Sequence, residues 1–409
     1  MNAHLKDANA HDAAQAAPVL FEERQGAHGR IGIATLDAPA TLNGLSLEMA
    51  RLLDAQLQRW AQDPALAVVW LQGAGEKAFC AGGDLHGLYR GMREQRARGR
   101  WDGDDFADPR GNVHAEAFFE TEYRLDYRIH TYPKPLLCWG HGIVMGGGIG
   151  LMAGASHRVV SERSKLAFPE IAVGLYPDVG GSWLLARVPE RAGLFLALTG
   201  APLNAGDAIR ARLADHHLPE ARRADALQAA TDAPWSFDAA RDRATLTVLL
   251  QGLAEPAPAG PLQQHAATVA DLCAADSLEA TAARIEALDC DDPWLQTARK
   301  TFAAGAPGSA RLGYELQRRA ASLSLADTFR LEYWTSLHCA AHGDFAEGIR
   351  ALLIDKDRNP RWNPATLAQA TASWAESFFR APDAAQPHPL ADLGGDVGGD
   401  LGAATEPRA

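Results

Sequence analysis

The first half of the chain alternates short apolar runs with segments of helical period. Arg30–Leu36 (RIGIATL) alternates apolar and polar positions as a strand does, and the segment Pro39–Gly44 breaks it. Ser46 is placed to cap a helix over Leu47–Trp60, with Glu48 early in it and apolar positions at Met49, Leu52, Leu53 and Leu57. Ala67–Gln72 (AVVWLQ) is a continuous apolar run bounded by Asp-Pro and by Gly, the pattern of a parallel strand buried on both faces. Pro135–Trp139 and Arg158–Ser161 read as further strands. Strand, helix and strand joined by short connections predict an α/β architecture built from right-handed crossovers.

From Asn204 onward the pattern becomes helical: Asp207–Leu213, Leu278–Leu288 and Leu325–Cys339 are rich in Ala, Leu and Arg, and Ala254–Pro261 (AEPAPAGP) is a loop between such stretches. Residues 1–17 are polar and Ala-rich, and residues 381–409 are rich in Gly, Pro, Asp and Ala. Neither end buries enough apolar area to offset its ordering entropy, so both are expected to be disordered. The expected organisation is a tail (1–17), a mixed core (18–215), a mostly helical region (216–380) and a second tail (381–409).

With 47% apolar and 22% charged residues among 409, the composition is that of a globular protein with a sizeable core. The formal charge of −12 argues against a nucleic-acid partner. The densest basic run, Met92–Arg100 (MREQRARGR), reads as a solvated face, with a local phosphate contact as the alternative. Cys80, Cys138, Cys273, Cys290 and Cys339 are scattered, odd in number and form no C-x-x-C pair, as expected of reduced thiols; Cys80 reads as a small buried hydrophobe. The N-terminus has neither a basic start nor an apolar core typical of a secretory leader, and no apolar run is long enough to cross a bilayer. A cytoplasmic location without a membrane partner is the expectation.

The chemistry concentrates between residues 78 and 181. Gly148-Ile149-Gly150-Leu151-Met152-Ala153 fits G-x-G-x-x-A, yet only about eight residues separate Gly148 from the strand near Arg158, too few for a dinucleotide-binding crossover helix. There is no P-loop, no G-x-S-x-G elbow and no tight histidine spacing for a metal. What remains is bare backbone at two loops. Gly146-Gly147-Gly148 precede a helix expected over Ile149–Ala155, and Ala81-Gly82-Gly83-Asp84 follow an apolar strand. Two such loops can aim two amides at one developing oxyanion, although each glycine set alone could simply make a tight turn. Glu170 and Asp178 lie in the run FPEIAVGLYPDVGG, among apolar, Pro and Gly neighbours unusual for surface carboxylates. Asp84 reads as a helix cap and His141 as a packed, hydrogen-bonded histidine.

The segments KAFCAGGDL, HGIVMGGGIGL and LAFPEIAVGLYPDVGGSWLLARV, with GDFAEGIRALLIDKDRNPRWNP further on, resemble the crotonase (enoyl-CoA hydratase/isomerase) superfamily. Within it the likeness is to 3-hydroxyisobutyryl-CoA hydrolases. It runs over about Val19–Leu213 and resumes over Ala310–Pro364, while 216–305 matches little. The resemblance implies an α/β fold: a crotonase-like ββα spiral core followed by a mostly helical C-terminal region. It implies an acyl-CoA substrate, no cofactor beyond the CoA carried by that substrate, no metal, a place in valine breakdown, and a homo-oligomer as one possible assembly. Carried over by position, Gly83 and Gly147 are the oxyanion-hole amides, Glu170 and Asp178 the catalytic pair, and Glu122 a substrate-site residue. Hydratases of the superfamily carry a further glutamate three residues after the second amide; that position here is Gly150. Its loss disfavours hydration and points to thioester hydrolysis. An isomerase or hydratase, or a non-catalytic acyl-CoA-binding protein, are the alternative readings.

Overall fold

The computed structural model describes residues 17–97, 108–382 and 386–394. Among the described residues, nine strands divide between two sheets. β1 (Val19–Gly26) and β2 (Gly29–Leu36) form an antiparallel hairpin, and β3 (Leu66–Gly73) joins β2 in parallel. The chain then crosses back and forth. β4 (Ala78–Cys80), β6 (Ile143–Met145) and β8 (Lys165–Ala167) build a three-stranded parallel sheet, while β5 (Leu136–Gly140), β7 (His157–Val160) and β9 (His216–His217) extend the first sheet to six strands. Each turn of the chain thus contributes one strand to each sheet before a helix returns it, which makes the core a ββα spiral. The boundary expected at 215/216 is displaced, because β9 still pairs with β7 and the helical region begins after it.

Local chemistry explains the helices that position the site. α1 (Leu47–Gln62) starts where Ser46 Oγ accepts the Met49 N–H at 3.1 Å, and it buries Met49, Leu53, Leu57 and Trp60 along one stripe. α2 (Leu85–Ala97) is capped by Asp84, whose Oδ1 accepts the Gly87 N–H at 2.9 Å. Met92–Ala97 of the basic run continue α2, and 98–100 lie outside the described residues. α3 (Val113–His130) begins at Asn112, whose side chain accepts the Ala115 N–H. α4 (Gly147–Ala153) is short and wholly buried.

The C-terminal helices cover the spiral on two sides. The helices Arg223–Asp232 and Ala239–Leu253 lay Leu227, Leu246 and Leu250 over the face of the large sheet that carries Ile33, Val68 and the stacked pair Trp70–Trp139. On the other side, the helices Pro307–Ala320 and Leu325–His342 share a core with α2 and α3 through Leu316, Phe329, Phe118 and Tyr123. Among the described residues, no helix is long and apolar enough to cross a membrane.

The disorder expected over 381–409 fails for residues 386–394. Leu390 is fully buried and Leu393 nearly so, against the helix Leu325–His342, and Arg330 and Arg124 bind backbone carbonyls of that strap. Residues 1–16, 383–385 and 395–409 of the two predicted tails lie outside the described residues. Because it empties a packed site, Leu390→Ala is expected to cost about 2–5 kcal/mol in denaturant unfolding, whereas a disordered tail would show no change.

Candidate active site

The three strands β4, β6 and β8 run parallel as neighbours, so their C-terminal ends lie side by side. Gly83, Gly147 and Glu170 each follow one of those ends by two or three residues. Strand order therefore gathers residues spread over almost ninety positions of sequence.

The two amides are left unpaired by their surroundings. Leu45 holds the peptides on either side of Gly83: its N–H donates to the Gly82 carbonyl at 2.8 Å, and its carbonyl accepts the Asp84 N–H at 2.9 Å. The Gly83 N–H itself has no backbone acceptor among the described residues. Gly147 opens α4, where a first-turn N–H has no intrahelical acceptor. Gly146 ahead of it adopts φ 48° and ψ −121°, a conformation closed to side chains of ordinary residues. A Cβ on Gly147 would stand 3.4 Å from the Gly83 nitrogen and 2.5 Å from Oε1 of Glu122. Backbone and carboxyl thus face one small space that any side chain at 147 would fill.

Five buried acids lie within electrostatic reach of one another here, and two of them, Glu122 and Glu170, stand at this space. Oε1 of Glu170 lies 3.0 Å from where a Cβ on Gly146 would be, and its Oε2 has no hydrogen-bond partner among the described residues. Burial, then the charge of Asp178, raises Glu170 well above the ordinary carboxylate range. Asp178 follows Pro177; its Oδ2 accepts from the Tyr123 hydroxyl at 2.8 Å. Burial raises Asp178 to about 6 against the pull of that hydrogen bond. Glu122 is raised well above its ordinary value by burial and by Asp178, Asp126 and Glu170. Asp126, one turn along α3, is buried with both oxygens unpartnered among the described residues, and burial with Asp178 and Glu332 raises it too. Glu332, from the helix Leu325–His342, accepts the N–H groups of Gly180 (2.7 Å) and Ser182 (3.0 Å), and burial lifts it to about 8.

All five residues expected from the sequence, Gly83, Gly147, Glu122, Glu170 and Asp178, meet in this cluster. Asp126, Glu332, Tyr123, Tyr176 and Ser336 were not anticipated. A signal existed for some of them: Glu122 with Asp126, and Glu332 with Ser336, are i,i+4 pairs that must share a helix face. Cys80 is buried and its thiol is pushed up to about 12 by burial, an inert group. His141 is packed as expected, its Nε2 3.0 Å from the Gly75 carbonyl.

Gly150 is the position where the structure adds most. A Cβ there would stand 2.6 Å from Oδ2 of Asp126 and 2.8 Å from Cβ of Val179. Val179 is itself a β-branched residue held at φ 54°, a strain of about 1–3 kcal/mol next to Asp178. The place of a glutamate at 150 is taken by a carboxyl arriving from α3.

The sequence pattern of the family described as Enoyl-CoA hydratase/isomerase matches residues 31–379. The 3-hydroxyisobutyryl-CoA hydrolase, mitochondrial, of Danio rerio is 34% identical over 375 residues, covering 89% of this chain and 90% of that protein. The Homo sapiens protein of the same name is 31% identical, covering 92% of each. Among solved structures, a carnitinyl-CoA dehydratase from Mycobacterium thermoresistibile is 34% identical with a TM-score of 0.77, covering 93% of this chain and 99% of that one. An enoyl-CoA hydratase from Rhodobacter sphaeroides is 35% identical with a TM-score of 0.72, covering 88% and 96%.

Two outcomes are expected of this geometry. Gly150→Glu has no room beside Asp126 and Val179 and should lower stability by about 1–3 kcal/mol, read by denaturant unfolding. The acids set the second. A carboxyl whose folded pKa exceeds its unfolded one binds more protons folded than unfolded between the two values, so stability is lost as pH rises through that window. With Asp178 at about 6 and Glu332 at about 8, the melting temperature should fall as pH rises from about 4 to 8. Asp126→Asn, neutral at every pH, should flatten that slope.

Proposed function

The chain belongs to the enoyl-CoA hydratase/isomerase family, and we propose that it hydrolyses a short 3-hydroxyacyl-CoA thioester, 3-hydroxyisobutyryl-CoA in the first instance, to the hydroxy acid and free CoA. The observation that carries this reading is the occupation of the Gly150 site by Asp126 and Val179. Addition of water across a double bond, in the resemblance drawn above, relies on a glutamate at that position as well as on the one at 170. The solved structures named as a dehydratase and a hydratase therefore supply the fold, and the curated relatives supply the reaction.

In this reading the thioester carbonyl oxygen takes the N–H groups of Gly83 and Gly147, which lie across one small space. Such a donor is worth about 3–4 kcal/mol when charge develops on the oxygen. Glu170, its Oε2 unpartnered, either takes a proton from water or attacks the carbonyl carbon. In the first route hydroxide adds to carbon, the C–S bond breaks, and the proton passes to the departing thiolate. In the second the C–S bond breaks to leave a mixed anhydride on Glu170, which water then opens. A thiolate leaves without prior protonation, so a stabilised oxyanion and one ionisable carboxylate suffice. Asp178 orients Glu170 or the 3-hydroxyl, and Glu122 borders the same space. Coenzyme A enters as part of the substrate and no further cofactor is required. The five cysteines are free thiols, four of them buried, which fits a reducing compartment; a cytoplasmic location and a role in valine breakdown form part of this reading.

Thiol release from 3-hydroxyisobutyryl-CoA by the purified protein is the direct test, and its absence with every short hydroxyacyl-CoA would sink the proposal. Glu170→Gln should lower kcat by about 10²–10⁴-fold with KM little changed. The acid limb of kcat/KM should lie above the ordinary carboxylate range, because Glu170 must lose its proton to act. Asp178→Asn removes a like charge and should move that limb to lower pH. An isomerase would instead shift a double bond without releasing thiol.

A further inference from the structure

Asp178 is the first member of a chain of buried hydroxyls that ends in the C-terminal region. Its Oδ2 is 2.8 Å from Tyr123 Oη, which is 2.8 Å from Ser336 Oγ. Ser336 Oγ is 2.8 Å from Tyr176 Oη, which donates to the Glu332 carbonyl at 2.9 Å. Tyr123, Tyr176 and Ser336 are each buried, so water does not compete for these contacts.

Counting protons gives the chain a direction. Four contacts of hydrogen-bond length join five oxygens, and the three hydroxyls bring three protons. The Glu332 carbonyl has no proton, so Tyr176 must donate to it. If Asp178 is ionised, Tyr123 donates to Asp178, and Ser336 has one proton for two contacts. One pair of oxygens then meets lone pair to lone pair in a dry site, which is costly. A fourth proton, on Asp178, reverses the bond that the ionised acid accepts from Tyr123 and completes the chain, with every bond pointing from Asp178 toward Glu332 and each strengthening the next.

We propose that Ser336 is a positioning residue for Asp178: with Tyr123 and Tyr176 it forms a hydroxyl relay that is fully hydrogen-bonded only when Asp178 carries a proton. The relay bears on the division of labour within the proposed pair: it raises the pH at which Asp178 ionises and so delays the like charge that raises Glu170. It also gives the helix Leu325–His342 a task in the site, since Ser336 and Glu332 stand one turn apart on it. The titratable groups that bear on Asp178 are Glu122 and Asp126 from α3, Glu170 from the turn after β8, and Glu332 and Cys339 from that helix. Burial is what raises Asp178 itself, and the charge of Asp178 in turn raises these acids and the thiol, so a proton on Asp178 eases all of them. The inference rests on Asp178 belonging to the reactive pair proposed above.

The test reads the Asp178 proton directly, as the infrared carbonyl band of a neutral carboxyl in full-length protein, assigned by its loss in Asp178→Asn. In Ser336→Ala, Tyr123 keeps Asp178 as its only acceptor. In Tyr176→Phe, Ser336 turns its proton to Tyr123 and reinforces the same donation. Both variants should lose the band at a pH lower by about one unit, with melting temperature little changed. A midpoint that stays in place or rises in either folded variant overturns the relay. Should Ser336→Ala fail to fold, Tyr176→Phe decides, since its change lies two hydroxyls away from the acid. Thiol release measured on the same samples separates the two ideas: an unmodified protein that shows the titrating band but releases no thiol contradicts the proposed function and leaves the relay standing.

Discussion

Five carboxyl groups share one dry region of this protein, and among the described residues the charged groups that bear on them are chiefly one another. Glu122, Asp126, Glu170, Asp178 and Glu332 cannot all be ionised there, because each charge loses water and meets like charges. The arrangement persists because other groups offset the cost. Backbone amides of Gly180 and Ser182 serve Glu332, the Tyr123 hydroxyl meets Asp178, and burial raises the proton affinity of Glu122, Asp126 and Glu170. Such a cluster is a poor contributor to stability and, in the proposed reading, a good one to chemistry, since it raises the proton affinity of Glu170 above the ordinary carboxylate range.

The scaffold makes the cluster affordable by rigidity. Parallel strands β4, β6 and β8 end together and deliver two unpaired amides and Glu170, while α3 lays Glu122 and Asp126 against the bare face of α4. The glycines at 147 and 150 are where carboxyls from a neighbouring helix come closest to the backbone. The C-terminal helix Leu325–His342 closes the region from the far side, and the strap 386–394 packs behind it. The helical region is thus part of the site and of its core.

In the proposed reading, reaction choice follows from occupancy as much as from identity. A glycine at 150 could merely leave a gap for water, or for a side chain restored by mutation. Here Asp126 and Val179 fill the place, and Val179 is held in a strained conformation beside Asp178. Relatives of similar identity whose names describe hydration share the spiral, so the spiral by itself does not select the reaction.

Much was legible in the sequence. Apolar period and caps located β2, β3, β5 and α1 to within a few residues, because burial on one or both faces imposes those patterns locally. The glycine loops and the run FPEIAVGLYPDVGG marked two amides and two acids that the fold brings together, because close backbone approach and acids among apolar residues leave a trace in composition. The ordered strap around Leu390 was hidden by its Pro-, Gly- and Asp-rich flanks, and β9 by its two-residue length. Asp126, Glu332 and Ser336 carried no mark of their own in the sequence, and only packing from two sides turned the helix faces that bear them inward. The sequence by itself determined which residues are able to react. The tertiary structure decided which of them lose water, share protons and exclude a side chain at 150, because desolvation and close approach are set by groups far apart along the chain.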